Sequence, residues 1–173
     1  MPSKKEEARL YGEDYWLWYR DEQVGAARGN VYKHAWSWLE RLMPTTGILV
    51  DVGCGGGTLL ALCRTRGWKG IGFDPSESAV AHARAMGLEA YPESWPPCPL
   101  ADETADAVTF VNVLDHLLDP FRALQEAWRI LKPGGLLYVR VPNGPIHVGL
   151  MRLLSAIRLD HLTVFHLFGF GRD

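Results

Sequence analysis

The sequence predicts an α/β domain built on a parallel, doubly wound sheet, and three observations support this. From residue 47 onward, apolar runs of strand length alternate with segments of helical period, the pattern of strand–helix–strand units. The first run, Ile48-Leu49-Val50-Asp51-Val52, is almost wholly apolar, as a strand covered on both faces has to be. It leads into Gly53-Cys54-Gly55-Gly56-Gly57-Thr58, a glycine-rich turn at the carboxyl end of a strand, where open α/β sheets bind nucleotides.

The elements follow in order. Ser3 and Glu6 form a capping box that starts a helix near Lys4, which runs into the aromatic cluster Tyr11, Tyr15, Trp16, Trp18 and Tyr19. Residues 25–29 read as a turn. Asn30 then caps a second helix with apolar positions Tyr32, Ala35, Trp38, Leu39 and Leu42, ended by Pro44. After the first strand, a helix through Leu59, Leu60, Leu62 and Cys63 stops at Gly67. Gly70–Phe73 is the second strand, Ser76 caps the next helix and Gly87 closes it. A short third strand spans Leu88–Tyr91, and residues 92–105, with four prolines, form an irregular loop. Ala107–Val111 is the fourth strand. Asp119-Pro120 opens a helix whose apolar face is Phe121, Leu124, Trp128 and Leu131, and Pro133-Gly134-Gly135 ends it. Leu136–Val141 is the fifth strand.

Bulk properties narrow the function. A chain of 173 residues is one domain with a single sizeable core. A net charge of -2 and a pI near 6.3 leave no electrostatic footprint for nucleic acid or an anionic membrane. Three cysteines, Cys54, Cys63 and Cys98, without C-x-x-C spacing suit a reducing cytoplasm. The charged start does not read as a signal peptide, so none is expected, and no apolar run approaches a bilayer span. Seven tryptophans, four of them among the first forty residues, serve packing or an aromatic lid.

The turn itself indicates the ligand. Counting from Gly53, the spacing gives Gly55 and then Thr58, so the third glycine of a dinucleotide fingerprint is missing. No Gly-Lys-Ser/Thr is present for a phosphate loop. Instead Asp51 precedes the glycines, and an acid there repels phosphate and suits a ligand carrying an amino group. Asp74, at the end of the second strand, is placed to accept hydrogen bonds from a ribose held by the turn. It also reads as a turn aspartate before Pro75.

The run from Asp51 to Gly57, D-x-G-x-G-x-G, resembles motif I of the class I S-adenosylmethionine (SAM) dependent methyltransferases. Ala105-Asp106-Ala107-Val108 with Leu114-Asp115-His116-Leu117-Leu118-Asp119-Pro120 resembles their fourth-strand motif, and Leu131-Lys132-Pro133-Gly134-Gly135 the opening of their fifth strand. With Asp74, these motifs cover roughly residues 47–143, and the subgroup acting on small molecules and quinone precursors looks most similar. The resemblance implies a Rossmann-like sheet of order 3-2-1-4-5 and SAM as cofactor. It implies that Gly53, Gly55 and the Cys54 backbone cradle the methionine part, Asp51 anchors its amino end and Asp74 holds the ribose. Asn112 and Val113 then border the sulfonium, and Tyr11 or Tyr15 closes over the cofactor.

The sequence departs from the family in places. Ala105 stands where an aromatic is usual. An acid after the third strand commonly reads the adenine amino group, but here Ser94 occupies that place with Glu93 one position early; Ser94 and Trp95 are expected to flank the adenine. Asp115-His116 offers His116 as a general base, as a metal ligand, or as a plain residue lining the pocket. His161 and His166 lack the further ligands a metal site needs, so no metal is expected. Ile146–Leu159 reads as a sheet-covering helix or substrate lid rather than a membrane-surface helix.

The whole chain is therefore expected to be one SAM-dependent methyltransferase domain acting on a small-molecule acceptor. Residues 1–44 form a helical lid, 45–143 the cofactor core and 144–173 a helix and tail. The family's last two strands are expected to be missing, which leaves the fifth strand as an open edge and favours a homodimer through it. Two competing readings are a SAM-binding protein or methyltransferase fragment without catalysis, and, more remotely, an NAD(P)-dependent oxidoreductase.

Overall fold

The computed structural model describes residues 26–43 and 45–141. Helix α1, Ala26–Leu42, precedes strand β1, Ile48–Val52. Then follow α2, Thr58–Thr65; β2, Lys69–Phe73; α3, Glu77–Ala85; β3, Glu89–Tyr91; and β4, Ala105–Val111. A 3-10 turn at Leu114–His116 leads to α4, Pro120–Ile130, and to β5, Leu131–Arg140. The five strands form one parallel sheet in the order β3-β2-β1-β4-β5, as the family resemblance implied. Successive side chains of a strand point to opposite faces, so the sheet carries two apolar layers. Leu49, Ala107 and Val111 join α1, α2 and α3 through Tyr32, Ala35, Trp36, Leu39, Leu59 and Leu60. Val50, Val52, Ile71, Phe73, Val108 and Phe110 face α4 and the loop before β4.

That loop, residues 92–104, stands in for a helix. Trp95 and Cys98 drop from it into the second layer, and Arg129 of α4 clasps it. The Arg129 guanidinium donates to the Cys98 and Leu100 carbonyls at 3.2 and 2.9 Å and to Asp102 Oδ1 at 2.6 Å. The two late motifs are joined physically: Lys132 Nζ donates to both oxygens of Asp106 at 2.8 and 2.9 Å, and Asp106 also accepts from the Ile48 N–H at 2.8 Å. Partial burial alone would push the Asp106 carboxyl up, but Lys132 and the Ile48 N–H outweigh it and hold it below the usual range.

Three of the expected helix caps fall where the sequence put them. Ser76 Oγ accepts from the Ala79 N–H, Asp119 Oδ1 accepts from the Arg122 N–H, and Gly87 takes a φ of 73° after α3. Four expectations need correction. Helix α1 already runs from Ala26, so Asn30 lies inside it rather than capping it; Ala26, Ala27 and Arg28 are strong helix formers and outweigh Gly29. On that helix Trp36 is buried, edge-on to Trp68 at 6.0 Å, while Trp38 is 39% exposed beneath Arg41. On α4 the buried residues are Pro120, Ala123, Ala127 and Ile130, with Phe121 79% and Trp128 80% exposed. Finally, Pro133-Gly134-Gly135 does not separate helix from strand. Strand β5 starts at Leu131, and the Pro-Gly-Gly is a bulge: Ala105 pairs with Leu131 but Ala107 with Leu136.

Candidate functional site

The glycine turn is locked to the end of β2. The N–H groups of Gly53 and Cys54 both donate to the Phe73 carbonyl, at 2.7 and 3.1 Å. The Gly55 N–H donates to Asp74 Oδ2 at 2.8 Å. The other Asp74 oxygen accepts from the Ser76 N–H at 2.9 Å, so one carboxylate fixes both the turn and the entry to α3. Asp74 stays partly exposed at the cleft, and burial raises its pKa.

Gly53 and Gly55 have φ of +71° and +51°, a region L side chains rarely adopt. At Gly53 a Cβ would also lie 2.2 Å from Val113 Cγ2. The absent side chain therefore lets the end of β4 close onto the turn. In this way the fold brings Val113 beside Gly53, Cys54, Gly55 and Asp74.

Asp51 sits under the turn, 1% exposed, on the sheet face covered by α1 and α2. In register it pairs with Gly72 on one side and Thr109 on the other. Thr109 Oγ1 donates to Asp51 Oδ1 at 2.6 Å. Burial is the main cause that lifts the Asp51 pKa to about 7; the Thr109 hydrogen bond lowers it and the nearby Asp74 charge raises it further. Among the described residues neither Asp51 nor Asp74 is paired with a cation. The Cys54 thiol is pushed well up by burial and then by the Asp74 and Asp51 charges, so it stays protonated and is no nucleophile.

Thr109 is completely buried, and reading the sequence alone missed it. A threonine inside a valine-rich strand was visible, but its partner depends on the β1–β4 register. Thr109→Val is expected to destabilise the fold by about 1–3 kcal/mol, because it keeps the shape and strips a buried carboxyl of its hydrogen bond. It should also raise the Asp51 pKa further. Chemical denaturation at pH 8 checks the first effect and carboxyl NMR titration the second.

Beyond β4, Asn112 has a φ of +58° and stays partly exposed beside the turn. Its N–H donates to the Arg140 carbonyl at 2.8 Å, and its Oδ1 accepts from Arg140 Nη1. Arg140 is the second residue that sequence reading missed. Asp115 and His116 lie on the 3-10 turn; Asp115 is buried, and its Oδ2 is 3.8 Å from His116 Nε2. Ser94 is partly buried just past β3. Trp95 goes elsewhere: it is 6% exposed, its ring lies 5.5 Å from Phe73 and 6.3 Å from Phe110, and its indole N–H donates to the Ala123 carbonyl at 3.1 Å. In this packing its ring fills the core and is not free to stack on adenine. Tyr11 and Tyr15, like Ile146–Leu159, His161 and His166, lie outside the described residues.

A parallel 3-2-1-4-5 sheet with a glycine turn and two acids at its carboxyl end defines a nucleoside-binding α/β domain. Residues 27–171 match the family described as "Methyltransferase domain", and the chain belongs to that family, the class I SAM-dependent methyltransferases. A probable SAM-dependent methyltransferase of Mycobacterium tuberculosis is 33% identical over 135 residues, which is 76% of this chain and 44% of that protein. A ubiquinone biosynthesis O-methyltransferase of Methylococcus capsulatus is 32% identical over 114 residues, 62% of this chain and 48% of the relative. Among solved structures, a SAM-dependent methyltransferase from Thermotoga maritima superposes with a TM-score of 0.60 at 30% identity, covering 72% of this chain and 58% of that one. The chain spans about half the length of the curated relatives it matches.

Proposed function

We propose that this domain binds SAM at the glycine turn and transfers its methyl group to a small-molecule acceptor. The observation that carries the reading is the pair of acids, Asp51 and Asp74, unpaired with any cation among the described residues, under and beside a glycine-rich turn. Buried carboxylates call for a positive partner, and a cofactor with an ammonium and a sulfonium supplies one. In this reading Asp51 draws the amino end, Asp74 takes the ribose hydroxyls, and Val113 and Asn112 border the sulfonium. SAM supplies a methyl group already activated for in-line displacement, so holding the acceptor in line provides much of the rate. In this reading His116 takes the proton of the acceptor; the Asp115 carboxylate, 3.8 Å from its Nε2, supports that role.

The whole chain is read as one such domain, with residues 1–44 as its lid. Three cysteines without disulfides among the described residues support a cytoplasmic setting. Among the described residues β5 is the outer strand and exposes Leu137 and Val139, which supports a homodimer through that edge. No helix among the described residues is long and apolar enough to cross a membrane.

Calorimetry with SAM and its demethylated product, S-adenosylhomocysteine, tests the reading. Micromolar binding is expected, and heat with NADH but not with either of these would overturn it. Asp74→Ala is expected to weaken binding about tenfold or more, since charge-assisted hydrogen bonds contribute about 1.5–3 kcal/mol each. Unchanged affinity in a folded variant would remove Asp74 from the site.

A further inference from the structure

We propose that Arg140 forms an oxyanion subsite, so that the methyl acceptor is a small molecule bearing a carboxylate or phosphate. This rests on the methyltransferase reading above. Arg140 ends β5, paired in register with Val111 at the end of β4. Its side chain turns back over β4 and donates Nη1 to Asn112 Oδ1. Asn112 takes a left-handed φ of +58° to meet it, while its own N–H holds the Arg140 carbonyl at 2.8 Å. One hydrogen bond thus holds the guanidinium at Asn112, while the backbone bond and the left-handed conformation of Asn112 fix the strand ends that bring the two together. Such backbone outliers cluster at ligand clamps, and asparagine is among the few residues that tolerate this one.

The partner is a neutral amide. Arg66, Arg129, Lys69 and Lys132 are each bound to a carboxylate; Arg140 has none among the described residues, nor have Arg64 and Arg84, which donate to backbone carbonyls instead, but Arg140 stands at the carboxyl end of the sheet. One amide oxygen satisfies part of a five-donor fork, and the remaining donors suit a planar oxyanion. The two acids without a cation among the described residues, Asp51 and Asp74, lie on the β1–β2 side. In the reading above the cofactor's amino end and ribose belong with them and its sulfonium reaches Asn112 past the end of β4, so the acceptor lies beyond it, towards the ends of β4 and β5. Neighbouring strands lie about 5 Å apart. An acceptor with its reacting atom above β4 would therefore bring its anionic group to Arg140 roughly one ring's width away.

The test uses the full chain, with and without saturating S-adenosylhomocysteine. Benzoate, phenyl phosphate and the neutral benzamide are titrated by ligand-observed NMR. An oxyanion should bind about tenfold or more tightly than benzamide, from the usual worth of a charge-assisted hydrogen bond; whether benzoate or phenyl phosphate binds better names the group. Arg140→Gln should erase the preference. Arg140→Lys, which keeps the charge and loses the fork, should retain part of it and guards against a folding defect in the first variant. Equal binding of benzoate, phenyl phosphate and benzamide, no binding of either anion, or a preference that survives Arg140→Gln would overturn the subsite. The arm without S-adenosylhomocysteine reads the subsite even if the cofactor fails to bind, and that failure would count against the methyltransferase reading instead.

Discussion

Trp95→Ala is expected to destabilise the domain by about 3–5 kcal/mol, the usual cost of truncating a buried tryptophan. The indole fills the space between the sheet and α4, against Phe73 and Phe110, and its N–H donates to a helix carbonyl, Ala123 O. Removing it opens a cavity and takes a hydrogen bond away from that helix carbonyl. It also frees the loop at residues 92–104, whose other anchors are Cys98 and the Arg129 clasp. Trp95→Phe keeps most of the volume and loses the hydrogen bond, so it should cost far less, about 1 kcal/mol beyond the small change in size. Urea denaturation of the three proteins reads both numbers. A small stability change in Trp95→Ala together with a large loss of S-adenosylhomocysteine affinity would reverse the assignment and return the ring to the adenine.

Trp95 also shows where local sequence pattern stopped being informative. Its type suggested a stacking surface, and its place after β3 suggested adenine. Only the packing of α4 shows why the core claims it. The same contact explains the face of α4. By hydrophobicity, Phe121 and Trp128 should point inward beside Leu124, which does pack against the core. Yet the helix lies close enough to Trp95 for the indole to reach the Ala123 carbonyl, and only small residues such as Ala123 and Ala127 fit there. A sequence shows which stripe is more apolar; it does not show how near the partner layer comes. The strands, the turn and the caps were legible because each depends on neighbours in the chain. Ser76, Asp119 and Gly87 needed nothing from the rest of the fold.

The site divides in the same way. Asp51, Gly53, Gly55 and Asp74 were readable because two strand ends and one turn, all local, bring them together. Thr109 and Arg140 were not, because what makes them matter is register. Thr109 is one strand away from Asp51, and Arg140 meets Asn112 only because β5 pairs with β4 after a bulge. Lys132 and Asp106 stood in separate motifs, and only that same strand pairing reveals them as one ion pair.

Cofactor affinity is expected to fall as the pH drops below 7, by about tenfold per unit at the limit where one proton is released on binding. In the unliganded domain Asp51 titrates at about 7, because burial penalises its charged form more than the Thr109 hydrogen bond stabilises it. A positive ligand group beside it favours the carboxylate, so below pH 7 binding must expel a proton and is weakened by that work. Above pH 7 the carboxylate is already formed and the dependence flattens. It turns down again once the ligand's amino group loses its own proton, near pH 8 for an ordinary α-amine. The optimum is therefore narrow, between about 7 and 8. Stability of the empty domain runs the other way. The folded pKa lies above the unfolded value of 3.8, so the Asp51 contribution is fully present below the unfolded value and is lost as the pH climbs from about 4 to 7, at up to about 1.4 kcal/mol per unit. Asp51→Asn removes the titrating group and still accepts from Thr109. It should make the empty domain more stable than the parent at pH 8, weaken cofactor binding there, and leave an affinity that changes less between pH 5 and 7 than the parent's, any remaining slope coming from Asp74, whose carboxyl burial also pushes up. Calorimetry and thermal melts across that range measure both. A parent protein whose affinity is flat from pH 5 to 7, or a variant that keeps the parent's slope, would show that Asp51 does not meet the cofactor's charge.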